Sequence, residues 1–180
     1  MKFFLILPFI TVAVADSLAE DQPNWADENR FGDYQNAWKS LGQEETTLYY
    51  LTNTTYKDDT LSWGANFSCV VVKETSKNES QKMVTSRFVF KNASSTERQA
   101  VFQVEESVKA VFYYNYTKNE NAIEYLVEGG LELWVNGDHI SKVPQHCSFF
   151  IEYFRKKEDT VYTKYSAEEC GDVVTKITSS

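Results

Sequence analysis

The chain has 180 residues, 26 acidic against 18 basic side chains for a formal charge of -8, and 15% aromatic residues. That length suits one domain, and an acidic chain with no basic stripe lacks the footprint that nucleic-acid phosphates require. The two histidines, His139 and His146, sit in no zinc-ligand or nucleophile spacing, and Cys147 beside His146 would not face it on a helix, so no enzyme, metal or cofactor is expected.

In chain order, Lys2 precedes the apolar run Phe3, Phe4, Leu5, Ile6, Leu7, which continues through Ile10, Val12 and Val14 to Ala13 and Ala15. A basic start, a short apolar stretch and an A-x-A site predict a secretory leader over residues 1–15, too short for a typical membrane span. Its only charge is Lys2, so residues 16–180 form a single secreted domain of charge -9. Residues 24–41 place Phe31, Tyr34, Trp38 and Leu41 at helical spacing, predicting one short amphipathic helix. Residues 46–56, 67–73, 83–90, 108–116, 122–127 and 131–135 are rich in aromatic and β-branched side chains and predict six strands, spaced as in a sandwich or a barrel. Pro144 opens a helix with Cys147, Phe150, Ile151 and Phe154 on its apolar face, and a tail strand follows in which Val161, Thr163 and Tyr165 alternate with polar neighbours.

Five N-x-S/T sequons, at Asn53, Asn66, Asn78, Asn92 and Asn115, agree with secretion. A glycan must face solvent, and strand side chains alternate between faces. Outward Asn53 therefore sends Tyr50, Thr52, Thr54 and Tyr56 inward, and outward Asn115 does the same for Ala110, Phe112 and Tyr114. Glu106 shares that inward parity, and an acid facing a barrel interior calls for a cation or hydrogen bonds.

From Pro23 almost to Cys170 the residues resemble the histamine-binding lipocalins of tick saliva. The resemblance is carried by Trp25-Ala26-Asp27-Glu28, Ala37-Trp38-Lys39-Ser40-Leu41, Tyr49-Tyr50, Thr55-Tyr56-Lys57, Trp63-Gly64, the segment from Phe67 to Cys69, and Glu132-Leu133-Trp134. It implies an antiparallel up-and-down barrel of eight strands with a C-terminal helix, binding biogenic amines at the feeding site. This chain departs from the pattern between Val127 and Glu132, where two strands and a Cys-Asp-apolar motif are absent. The expected fold is thus all-β with short flanking helices, a lipocalin-like barrel shortened to about six strands. Gly129-Gly130 suits a tight turn, which would set Val127 opposite Glu132 and Tyr125 opposite Trp134.

Three cysteines are an odd number. By resemblance Cys69 pairs with Cys170, leaving Cys147 as a buried thiol, or as a link to a second chain in an otherwise monomeric protein. The same resemblance implies Tyr56, Asp59, Trp63, Glu106 and Tyr125 for one amine pocket, and Glu44 with Glu132 for a second whose other acid is missing. An ammonium leaving water needs a carboxylate, and an aromatic face adds to its hold. The plainer alternatives are that Asp59 and Glu44 are turn or rim acids and that Tyr56, Trp63 and Tyr125 are core. Three functions remain open: a scavenger of histamine or a related amine, a binder of a fatty acid or eicosanoid, and a shortened relative acting through its surface on a host protein. No membrane or nucleic-acid partner is expected.

Overall fold

Strands β1 (Lys2–Leu7) and β2 (Ile10–Val14) come from the apolar N-terminal run, and β3 (Leu48–Thr54), β4 (Ser68–Asn78), β5 (Met83–Lys91), β6 (Val101–Val111), β7 (Ala122–Tyr125) and β8 (Glu132–Asn136) supply the six expected later ones. The computed structural model describes residues 2–7, 10–14, 24–44, 46–93, 101–125 and 129–179, with residues 2–7, 10–14, 25 and 125 described by their backbone alone. All pairings are antiparallel, in the order β4-β5-β6-β7-β1-β2-β8-β3, and β3 pairs again with β4. The sheet thereby curls onto itself. A two-residue strand β9 (Tyr162–Thr163) pairs with the far half of β3, where Lys164 donates its N–H to Thr52 and accepts from the Cys69 N–H. Residues 162–164 thus complete the wall where β3 and β4 diverge.

The β1–β2 hairpin corrects one expectation. In the full chain, with residues 1–15 present, Lys2 pairs with Tyr125 and Thr11 with Trp134, so β7 and β8 are separated there by two strands rather than joined through a turn at Gly129-Gly130. Ile, Val and Phe suit a strand as well as they suit a leader.

Parity also needs correction. A bulge between Leu51 and Asn53 inserts one residue into β3, and one inserted residue flips the faces. Thr54 pairs with Glu132 and keeps its inward face, but Tyr49 and Leu51 pack in the interior cluster, whereas Tyr50 lies outside against Tyr165, ring centroids 4.9 Å apart. On β6, Val108 and Ala110 are buried as expected, but the strand ends at Val111. Phe112 and Tyr114 are exposed, and Tyr114 takes φ 54°, which ends strand geometry. The strand expected over 108–116 therefore lies seven residues earlier at its start.

The expected N-terminal helix is broken into α1 (Glu28–Phe31) and α2 (Ala37–Leu41), each capped by an Asx side chain, Asp27 and Asn36. Ala37 and Leu41 of α2 close one end of the interior, and Trp38 Nε1 ties it to Glu79 Oε2 at 2.8 Å. The helix opened by Pro144 is α3 (Gln145–Phe154), packing Cys147 and Ile151 on Leu131, Leu133 and Val135, the outer face of β8. After Cys170 comes a further helix, α4 (Gly171–Thr178), whose Val173 and Ile177 cover Val71 and Val89.

Cys69 and Cys170 are joined by a disulfide across 101 residues. Cys147 is a free thiol at 0% exposure, and burial pushes its pKa up, so neither access nor ionisation favours a link to a second chain. The sequon asparagines differ in surroundings: Asn66, Asn78 and Asn115 are exposed and Asn53 is half-buried. Asn92 is half-buried with its amide nitrogen 2.7 Å from the Trp63 carbonyl. Peptide mapping before and after N-glycosidase treatment is therefore expected to find glycans at the three exposed sites and none at Asn92.

Candidate functional site

The chain leaving β3 forms a plug at the end opposite α2. A two-way backbone bridge joins Asp59 to Gly64, and Asp59 Oδ1 accepts the N–H groups of Leu61 (2.9 Å) and Ser62 (3.1 Å), the local bonding that favours Asp in turns. The loop's own backbone thus aims this fully buried carboxylate. Trp63, also at 0% exposure, packs its ring 5.1 Å from Phe88 and 5.3 Å from Phe90. Its Nε1–H is buried with no hydrogen-bond partner among the described residues.

Glu106 faces the plug from β6. Burial pushes its carboxyl up, and the neighbouring charge of Asp59 pushes it further. Two acids in one partly desolvated space repel, and a bound cation relieves that repulsion. Among the described residues no group of three or more His, Cys, Asp or Glu side chains is placed to hold a metal ion.

Glu132, at 0% exposure, is already engaged. The Tyr56 hydroxyl donates to its Oε1, and Trp134 Nε1 donates to its Oε2 at 2.8 Å. Gly130, at φ 138°, lets the chain pass over Tyr56, since a Cβ there would sit 2.5 Å from the Tyr56 ring. Behind them is a cation the sequence reading missed. Lys164 is 5% exposed, its ammonium donates to the carbonyls of Lys57 (2.8 Å) and Phe67 (3.1 Å), and it lies 3.6 Å from the Phe67 ring centre. Desolvation lowers its pKa to about 8 despite the nearby charges of Asp58 and Glu132. The alternation of Val161, Thr163 and Tyr165 pointed to the other face of this segment, and only the wall between β3 and β4 turns Lys164 inward.

Tyr56, Asp59, Trp63, Glu106 and Glu132 are thus gathered at the plug end. Tyr125 ends β7, and its side chain lies outside the described residues. Glu44 is not part of the group. It is exposed in the loop entering β3, beside the Tyr49–Asn136 end of the sheet, whereas Glu132 pairs with Thr54 at the other end. Five residues of strand separate Tyr49 from Thr54, about 17 Å.

The family model described as tick histamine binding protein matches residues 25–131. The chain belongs to the tick histamine-binding protein family. Among its relatives is the male-specific histamine-binding salivary protein of Rhipicephalus appendiculatus, 31% identical over 185 residues that cover 84% of this chain and 89% of that one. The female-specific histamine-binding protein 1 of the same tick is 38% identical over 130 residues, covering 72% of this chain and 65% of its own. A solved structure of Japanin from that tick, bound to cholesterol, covers 68% of this chain and 95% of its own at 13% identity, with a TM-score of 0.43. No described helix is long and apolar enough to cross a membrane.

Proposed function

We propose that this protein is a secreted, N-glycosylated, monomeric and non-enzymatic binder of a small cationic amine, histamine or a close analogue. Residues 1–15 act as its leader. The amine's charge is held between Asp59 and Glu106, and its body lies against Trp63 and Tyr56. One observation carries this reading: a half-buried Glu106 whose carboxyl is pushed up by burial and by the fully buried Asp59 beside it. The family names support histamine as the amine. Glu132 serves in this reading as the anchor that orients Tyr56, its charge offset by Lys164, and the pocket of Glu44 with Glu132 is not assembled.

Calorimetric titration of the purified secreted protein with histamine, serotonin and a fatty acid tests the reading. Glu106→Gln is expected to weaken histamine binding by the worth of a charge-assisted hydrogen bond, about 1.5 to 3 kcal/mol, or roughly ten- to 150-fold, while leaving the thermal midpoint nearly unchanged. Equal affinity in wild type and variant would remove Glu106 from the site. Tight fatty-acid binding with no amine binding would favour the apolar-ligand alternative.

A further inference from the structure

The amine reading leaves unused the clasp between α1 and the loop that joins β6 to β7. Glu28 Oε2 accepts the Thr117 N–H (2.9 Å) and hydroxyl (3.2 Å), and its Oε1 accepts the N–H groups of Lys118 (2.7 Å) and Asn119 (3.0 Å). Lys118 Nζ donates to Asn29 Oδ1 at 3.3 Å, and the Ala37 N–H donates to the Glu120 carbonyl at 2.6 Å, which carries the clasp on into α2. Water competes for the bonds of Glu28 and Asn29 at the surface, and α1 has four residues, too few to hold itself together. Beside the clasp lies an open cleft of about 490 Å³, with Asn24, Asp27, Asn29, Arg30, Asn115 and Lys118 in its wall. Asn115 is the exposed asparagine of the sequon Asn115-Tyr116-Thr117. The anchor point of a glycan is thus part of the wall of a cleft in the size range of small-ligand sites, about 300–1,000 Å³.

The chemistry of that wall suits a neutral, hydroxyl-rich ligand. The acids Asp27 and Glu28 balance the cations Arg30 and Lys118, and both acids already accept backbone N–H groups, Asp27 Oδ1 from Asn29 (3.0 Å) and Arg30 (3.3 Å) and Glu28 from the loop. The amides of Asn24 and Asn29 and the guanidinium of Arg30 add planar donors and acceptors of the kind that sugar hydroxyls and acetamido groups pair with. We propose that the cleft holds the two N-acetylglucosamine units that begin the glycan on Asn115, so that this glycan bridges the β6–β7 loop to α1. The inference rests on the proposed glycosylation and on nothing at the amine pocket. Attachment through one side chain gives the sugar an effective concentration on the order of millimolar, so contacts too weak to hold free sugar suffice. Seated there, the sugars take water away from the Glu28 bonds, and α1 and the loop open less often.

The test digests the secreted, glycosylated protein under native conditions with peptide N-glycosidase F and follows each site by peptide mass spectrometry. Asn66 and Asn78, both exposed, are the internal references. Release from Asn115 is expected to be about tenfold slower than from either reference in the folded chain, and equal to them after denaturation. Digestion leaves a carboxylate at the position, so Asn115→Gln from the same host serves as a second glycan-free form, with a single thermal transition as the folding control. In both forms the amides of residues 28–36 and 116–120 are expected to exchange about tenfold faster than in the intact glycoprotein. Equal release from the three sites of the folded protein would overturn the proposal, as would unchanged exchange at those amides in either glycan-free form. An occupied Asn115 that fails these tests leaves the glycosylation reading standing, whereas an unmodified Asn115 would overturn both.

Discussion

Replacing Cys69 and Cys170 together with serine is expected to lower the thermal midpoint by about 4–20 °C, from a loss of about 2–5 kcal/mol at roughly 2–4 °C per kcal/mol in a chain of this size. The disulfide closes a loop of 101 residues, and in the chain-entropy model a loop of about 100 residues is worth up to about 4.7 kcal/mol. It also pins α4, which has eight residues and is too short to persist alone. Only Val173 and Ile177 of that helix are buried, against Tyr50, Val71 and Val89. Hydrogen exchange is therefore expected to show α4 amides exposed in the double variant while the β4–β5–β6 sheet stays protected. An unchanged midpoint with α4 still protected would mean that its apolar contacts suffice without the covalent tie.

The strands were legible because Tyr, Phe, Val and Ile cluster between polar turns, and α3 because Pro144 starts it and its apolar face repeats at helical spacing. Other features depend on register, which no single segment encodes. The bulge at Thr52 reverses the face of Tyr50, and only the partners Leu51–Trp134 and Asn53–Leu133 reveal it. Lys164 reads as an outward residue until the segment is seen filling the gap between β3 and β4. Glu74 carries no signal of its own in Lys73-Glu74-Thr75, and its place beside a cavity under α2, walled by Leu41, Tyr49, Phe88, Val108 and Trp134, follows from the inner row it shares with Ser86 and Glu106. Asp59 and Glu106 were legible as candidates through resemblance and parity, but their mutual effect needed the plug, which the Asp59–Gly64 bridge folds back into the barrel end.

The N-terminal run shows how one composition serves two ends. A continuous apolar stretch suits a leader, and it equally suits a hairpin lodged between neighbours on both sides, as β1 and β2 are between β7 and β8. Loss of residues 1–15 leaves β7 and β8 with edges that they otherwise pair with β1 and β2. Ile123 and Trp134, which line the Glu74 cavity, stand on those two edges, so the same slot would open the cavity from the side.

Stability is expected to pass through a minimum near pH 8, set by two buried groups of opposite charge type. The Glu74 carboxyl is raised in the folded chain from 4.5 to about 8. The native state therefore holds a proton that the unfolded state releases, and the stabilisation present below pH 4.5 is lost as pH climbs through 8. The Lys164 ammonium is lowered from 10.5 to about 8, so the unfolded state binds the extra proton. Its contribution is absent below about pH 8 and is recovered as pH rises toward 10.5. Each group can change stability by at most about 1.4 kcal/mol per pH unit within its window. Urea unfolding at intervals from pH 5 to 10 checks the sign on both limbs. Glu74→Gln, which cannot ionise, is expected to flatten the descending limb and spare the ascending one, and Lys164→Met to remove the ascending limb. Lys164→Met also leaves the Lys57 and Phe67 carbonyls without their donor and Glu132 without its nearby cation, so a loss of about 3–5 kcal/mol is expected below pH 8, the cost of removing one member of a buried charge network. A wild-type profile that rises steadily from pH 5 to 8 would show that Glu74 is ionised in the folded chain, and with it that the space under α2 is wetter than its apolar walls imply.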